Sequence, residues 1–311
     1  MLPAEVPLAV DWAAGEGWNP GLEDAGPFAA ADPDGFLIGT IDGEPVATIS
    51  LVGPEPAFGF LGFYIVAPAF RGRGHGLAIW NAALQRRAFT TIGLDGVVDQ
   101  QPSYRKSGFV LAHRNVRYGG RVDPAALLTA GGIAGAAGSM PAGAGTSAGP
   151  GIASGGPWAA SLPAPGGGVL VPIGAALAPA VLAYDRPFTP AGRTAFLAAW
   201  LAPTATRQGL ALVRDGAVAG YGVVRRCRTG AKIGPLFADD EVGAEALFRA
   251  LAGLFPDGEI FLDPPEPHAA ATALARRFDL APVFETARMY RGPAPDLPIG
   301  RIFGITTFEL G

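Results

Sequence analysis

The sequence predicts an α/β protein built as two similar halves, and three features predict it. A strand-like run, Phe58–Val66, leads through a glycine-rich turn at 71–76 into a helix-like run at 77–87. The order of that half (hairpin, strand, helix, strand) returns in outline from Leu170 onward. Between the halves no charged residue occurs from Asp123 to Asp185, and Gly and Pro interrupt that interval throughout. With 311 residues there is room for two cores.

The first half, 1–118, opens with a helix expected over 8–18. Strands at 35–41 and 45–51 flank Asp42-Gly43, a pair suited to a tight hairpin turn. Phe58–Val66 follows as the strand feeding the turn. Leu77, Trp80, Leu84 and Ala88 fall at helical spacing, which predicts a buried stripe. A strand at 92–98 precedes a short helix that Gly108 is placed to terminate, and strands at 109–112 and 115–118 finish the module. Residues 119–168 read as a Gly/Ala/Pro-rich linker with too little side-chain area to offset its ordering entropy. The second half, 169–311, gives a helical region at 186–201 and strands at 210–213 and 218–224 around Asp215-Gly216. A strand at 232–237, a helix at 244–254, a strand at 259–263, a helix at 269–278 and a strand at 283–290 follow. The tail 302–310 reads as a further strand, able to pair with a sheet edge of its own chain or of a second copy in a homodimer.

The turn carries the chemistry. A strand, a glycine-rich bend and a helix start present free helical N–H groups to an anion, and Arg71 and Arg73 add positive charge. It is not a nucleotide P-loop, since Leu77-Ala78 stands where Lys-Ser/Thr is required. It is not a dinucleotide fingerprint, since Leu77 stands where the third glycine belongs. The pattern Val66-x-Pro68-x-x-Arg71-Gly72-x-Gly74-x-Gly76 resembles motif A of the GCN5-related N-acetyltransferases (GNAT). Tyr104-Arg105-Lys106-Ser107-Gly108-Phe109 is similar to that family's following Tyr-x-x-x-Gly-Phe. The second half resembles the C-terminal domain of tandem members, through 220–223, 232–236, 284–290 and 303–310. It lacks the loop: Ala238-Asp239-Asp240-Glu241-Val242-Gly243 would repel a phosphate.

The resemblance implies two GNAT-like domains, each a mixed, mostly antiparallel sheet flanked by helices, with one working site in the first half. Acetyl-CoA is the implied cofactor, held by Ile65, Val66, Arg71, Gly72, Arg73, Gly74, His75 and Gly76. The Val66 N–H would polarise the thioester, and Tyr104 would protonate the departing thiolate. The implied reaction is direct acetyl transfer to the amine of a small or amino-acid-like acceptor. Asp95 and Asp99 are the base candidates nearest in sequence, each equally readable as a turn or cap residue. Asp263, Glu266 and Glu285 lie at strand ends, where they either attract a cationic acceptor or form a solvated rim. A non-catalytic acyl-CoA sensor and a tandem enzyme moving another acyl group are the alternatives.

Composition narrows the partners. A net charge of −4 without a Lys/Arg cluster argues against nucleic acid. Mean hydropathy is positive at +0.29, yet the uncharged interval is mostly Ala and Gly and predicts no bilayer span. The single cysteine, Cys227, excludes an internal disulfide, and the first residues resemble no signal peptide, so a cytoplasmic enzyme is expected. Cys227 lies among Arg225, Arg226 and Arg228, cations expected to lower its thiol pKa. Three scattered histidines give no metal-ligand spacing.

Overall fold

A computed structural model of the chain describes residues 1–128, 161–256 and 258–311. The first half runs α1 (Val6–Gly15), α2 (Ala25–Ala31), β1 (Phe36–Ile41), β2 (Glu44–Val52), β3 (Phe58–Val66), α3 (His75–Arg86), β4 (Thr91–Val97), α4 (Gln101–Lys106), β5 (Val110–Arg121) and α5 (Pro124–Leu128). The second runs β6 (Leu162–Pro163), β7 (Val169–Pro172), α6 (Ala178–Asp185), α7 (Thr194–Leu201), β8 (Arg207–Arg214), β9 (Ala217–Arg226) and β10 (Ala231–Ala238). It continues with α8 (Glu241–Ala252), β11 (Glu259–Leu262), α9 (Ala269–Arg277), β12 (Ala281–Arg291) and β13 (Ile302–Gly304). Most of the 119–168 stretch read as a linker lies outside the described residues. Its flanks carry the end of β5, α5 and β6.

One sheet runs through both halves in the order β1-β2-β3-β4-β12-β5-β11-β10-β9-β8-β7-β6, with β13 added beside β10. Pairing is antiparallel except for one parallel pair in each half, β3 with β4 and β10 with β11. The halves exchange their last strands. β12 lies between β4 and β5, while β5 lies between β12 and β11. The two short strands expected at 109–118 are therefore one long strand that closes against the second half. The exchange places residues of β12 beside β4 of the first half, at the site described below.

Among the described residues, three cores stabilise this arrangement. In the first half α3 buries Ile79, Trp80 and Ala83 against Ile49, Leu61, Leu94 and Met289. Of the predicted stripe Trp80 is buried and Leu84 packs at the edge of this core, whereas Leu77 points to solvent, and Ile79 and Ala83 complete the buried face. On the opposite face α1, α2 and α7 share a core that joins the halves, with Phe28 and Phe63 near Trp200, Tyr221 and Phe237. Phe28 meets Phe63 edge-on with centroids 5.4 Å apart and stacks on Trp200 at 6.0 Å. The third core lies under α8 and α9. The tail pairs only through Ile302–Gly304, within the same chain, and then leaves the sheet to cross β3.

Candidate active site

The site exists because two parallel strands separate. β3 and β4 are paired from Phe58↔Thr91 to Leu61↔Leu94 and not beyond. Just past the divergence Phe63 has φ +48°, opposite a register shift in β2, and its carbonyl accepts the Thr48 hydroxyl at 2.8 Å. Ala67 N–H bonds Val46 across β2, so the antiparallel alternation turns Ile65 toward β2 and leaves Tyr64 and Val66 facing away. Their N–H groups point to the side that β4 has left. The Val66 N–H thus faces the open side, whereas Ile65 lines the cleft with its backbone committed to β2.

The opening is a cleft of about 580 Å³. Its walls include Tyr64, Val66 and Arg71 from the β3 side, Leu94, Asp95, Asp99 and Tyr104 from the β4 side, Glu16 and Trp18 after α1, Phe284 and Thr286 on β12, and Phe308 and Glu309 on the tail. Sequence reasoning missed the contributors from α1, β12 and the tail. Tyr64 also had a legible signal, being an aromatic two residues before the end of the strand that feeds the loop.

At the loop, Gly72 and Gly74 hold φ +73° and +85°, and nothing lies within 4 Å of where their β-carbons would be. Gly74 caps α3 without a side-chain bond, and the first intrahelical bond described runs from Ala78 N–H to Gly74. The preceding N–H groups at His75, Gly76 and Leu77 have no intrahelical partner. Arg73 is exposed, with its guanidinium 5.8 Å from the Phe70 ring, and His75 is half-buried against the same ring. This donor set fits a pyrophosphate. Arg71 departs from expectation: it folds back, donating to the Val66 carbonyl at 2.9 Å and pairing with Glu16. The equivalent turn of the second half is closed. Asp240 caps α8 by accepting from Gly243 N–H at 2.7 Å and pairs with Arg214, while Asp239 is held by Tyr184 and Arg301.

Tyr104 stacks on Trp80 at 5.6 Å and is almost fully buried, with its phenol in the cleft wall. Burial, with Tyr64 nearby, pushes its pKa well above the usual tyrosine value, so it stays protonated at neutral pH. Its helix ends in a Schellman motif, with Phe109 N–H on Tyr104 at 3.1 Å and Gly108 N–H on Arg105 at 3.0 Å. Gly108, at φ +85°, is the predicted stop.

The acidic candidates divide. Asp95 lines the cleft, but Arg288 holds both its oxygens at 2.9 and 2.7 Å and Asn115 donates at 2.8 Å, which removes it as a free base. Asp99 lines the cleft exposed. Asp263 is buried in a two-pronged pair with Arg117, both contacts 2.8 Å, and offers nothing to an acceptor. Glu266 and Glu285 stand outside the cleft, 3.7 and 3.8 Å from Arg114. No histidine lines it; burial and Arg288 hold His113 down to about 4. Cys227 is buried, and desolvation raises its pKa despite the neighbouring cations, reversing the expectation from sequence. In the native protein it is expected to resist a thiol reagent such as Ellman's reagent, reacting only on unfolding; rapid native labelling would refute this burial.

The profile of the acetyltransferase (GNAT) family matches residues 8–109, and that of an acetyltransferase (GNAT) domain matches 181–304. The holothin acyltransferase of a Pseudoalteromonas species is 28% identical over 302 residues, spanning 97% of this chain and 90% of that one. Among solved structures, a putative acetyltransferase from Pyrococcus horikoshii superposes with a TM-score of 0.74 at 21% identity, over 100% of this chain and 94% of that one. A tandem GNAT protein from the clavulanic acid biosynthesis pathway gives 0.57 at 16%, over 95% and 98%. Among the described residues no helix is long and apolar enough to cross a membrane.

Proposed function

Because the chain is an acyltransferase of the GNAT superfamily, with two such domains in tandem, we propose that it moves an acetyl group from acetyl-CoA to the amine of a small molecule, at one site per chain. The contrast between the two helix starts carries this reading: α3 presents unclaimed N–H groups and Arg73, whereas Asp240 fills the same position on α8. Acyl-CoA is the superfamily's co-substrate, and in the cytoplasm its pyrophosphate would take the α3 site. The Tyr64 and Val66 N–H groups would then lie along its pantetheine arm and thioester, where a fixed donor stabilises the oxyanion. Trp18, Phe284 and Phe308 beside carboxylates suit an amine on an apolar or aromatic body, and the cleft volume fits a small acceptor.

Tyr104 would give a proton to the departing thiolate. Thiols ionise near ~8.5, so the leaving group needs little help, and a phenol raised above ~10 is a weak donor. Tyr104→Phe is therefore expected to lower turnover by about 10²-fold, the low end for an acid–base group, with acetyl-CoA affinity retained. A larger loss would assign Tyr104 to positioning as well. Calorimetric titration of acetyl-CoA into the full-length protein tests the whole reading. Saturation near one per chain supports it, two per chain overturns the single-site assignment, and no binding overturns the donor.

A further inference from the structure

Of the acids lining the cleft, Glu16 is paired with Arg71, Asp95 with Arg288, and Asp99 is exposed. Glu309 differs from all three. It is 3% exposed, forms part of the cleft wall, and its Oε1 is buried without a hydrogen-bond partner. An unpartnered buried carboxylate oxygen is costly, and a fold keeps one where something else is to meet it.

The backbone that carries this side chain is held firmly. The Thr307 hydroxyl accepts from Glu309 N–H at 3.2 Å and Leu310 N–H at 3.0 Å, and Gly311 N–H bonds back to Thr307 at 3.2 Å. Arg193, itself paired with Asp185, donates to Thr306 at 2.8 Å. The Glu309 carbonyl rests on Gly62, where any β-carbon would collide with it. Gly62 is two residues, or about 7 Å, before the Tyr64 N–H that faces the cleft. The charged groups around the tail make their hydrogen bonds elsewhere: Arg117 with Asp263, Arg193 with Asp185 and Arg288 with Asp95, with Lys232 donating to the Asn19 carbonyl at 3.0 Å; of these, Arg117 also acts on Glu309 through its charge, without a hydrogen bond to it.

We propose that Glu309 is the base that takes the proton from the attacking amine, an inference that rests on the acyl-transfer reading above. One N–H proton of the incoming ammonium passes to Glu309 Oε1, directly or through one water; the freed amine nitrogen then bonds to the thioester carbon as its C=O opens to an oxyanion, and the surplus N–H proton leaves to solvent as the amide forms. The oxyanion then re-forms C=O, the C–S bond breaks, and the thiolate takes its proton from Tyr104. Glu309 returns its proton to solvent, and solvent reprotonates Tyr104. The first half then supplies the acyl-CoA site and the second half's tail supplies the base, which explains why the second domain is retained without a phosphate loop.

The test uses full-length protein, acetyl-CoA as donor, benzylamine as a protonated acceptor probe and p-anisidine as one that is neutral at pH 7. Glu309→Gln is expected to bind acetyl-CoA within roughly two-fold of the unaltered protein by calorimetry. Benzylamine turnover is expected to fall by about 10²–10³-fold, and p-anisidine turnover much less. The acidic limb of the benzylamine pH–rate profile is expected to move up toward the amine's own deprotonation, and Glu309→Asp to recover part of the rate. A Glu309→Gln enzyme within roughly three-fold of the original, with an unchanged pH profile, overturns this assignment alone. Loss of acetyl-CoA binding in proportion to rate reassigns Glu309 to structure and overturns it too. If the unaltered protein binds acetyl-CoA yet acetylates neither amine, the small-amine reading falls and this assignment with it.

Discussion

Arg117→Met is expected to lower the unfolding midpoint by roughly 10 °C, the loss of about 3–5 kcal/mol that follows when one member of a buried ion pair is removed. Arg117 on β5 ties together parts of the chain that are remote in sequence. It grips Asp263 past the end of β11 and donates to the Trp18 carbonyl at 2.8 Å, while its guanidinium lies 4.6 Å over the Phe308 ring. Methionine nearly fills the volume but leaves Asp263 buried and uncompensated. Burial alone would raise the Asp263 pKa; the adjacent Arg117 outweighs it and holds the carboxyl below its usual value. A carboxyl depressed on folding stabilises fully above its unfolded value near ~3.9, and that contribution fades as pH falls through the folded value. The gap between the two proteins is thus expected to be widest at neutral pH and to narrow in acid, as Asp263 becomes protonated in both. Urea unfolding at several pH values measures this. Arg117→Met with Asp263→Leu is expected to regain most of the loss, because a matched apolar pair leaves no orphan charge. An unchanged midpoint in the single variant would mean that water reaches this pair.

Local elements were legible because their signals are local. β3 spans the residues its apolar run predicts, both Asp-Gly turns join hairpins, and Gly108 ends α4. Helix α3 begins two residues earlier than read, since Gly74 rather than Gly76 takes the cap, and its buried face shares Trp80 with the predicted stripe but is completed by Ile79 and Ala83. The exchange of β5 and β12 had no sequence signal. Alternation specifies which face of a strand is buried and is silent on which strand lies alongside. The tail reads as strand because Ile302, Phe303, Ile305 and Phe308 are apolar, but only its first residues find a partner, and the rest is buried by crossing β3.

The site divides along the same line. The glycine loop and Val66 form one contiguous stretch, and Tyr104 belongs to a second short motif after β4, so both could be named from local spacing alone. The acids misled. An Asp at a strand end looks solvated, and nothing near Asp263 or Asp95 announces partners 146 and 193 residues away. Glu309 left one faint mark, a single acid between Phe308 and Leu310 in an otherwise uncharged tail. What makes it reactive is the surface around it, assembled from β3, β12 and the tail, which only the folded chain brings together.

Arg73→Ala combined with Gly74→Ala is expected to weaken acetyl-CoA binding by about 100-fold or more while lowering the unfolding midpoint by only a few degrees. Hydrogen bonds to a charged group contribute about 1.5–3 kcal/mol each, and the loop offers several. Arg73 supplies one mobile charge; alone, its loss is expected to cost about ten-fold. Gly74 supplies geometry: at φ +85° an alanine costs about 1–2 kcal/mol, so the loop relaxes and the α3 N–H groups no longer converge. Neither residue belongs to a core, and Arg73 touches only the Phe70 ring at the surface. A β-carbon at position 74 would meet open space and Arg73 is exposed, so the fold has little to lose. The turn before α8 is the natural comparison. Asp240→Ala removes a helix cap and is expected to reduce stability by about 1 kcal/mol without creating a second acetyl-CoA site, because Asp239 and Glu241 still repel the anion. Binding that survives the double loop variant would shift the pyrophosphate off α3 and remove the feature on which the single-site reading stands.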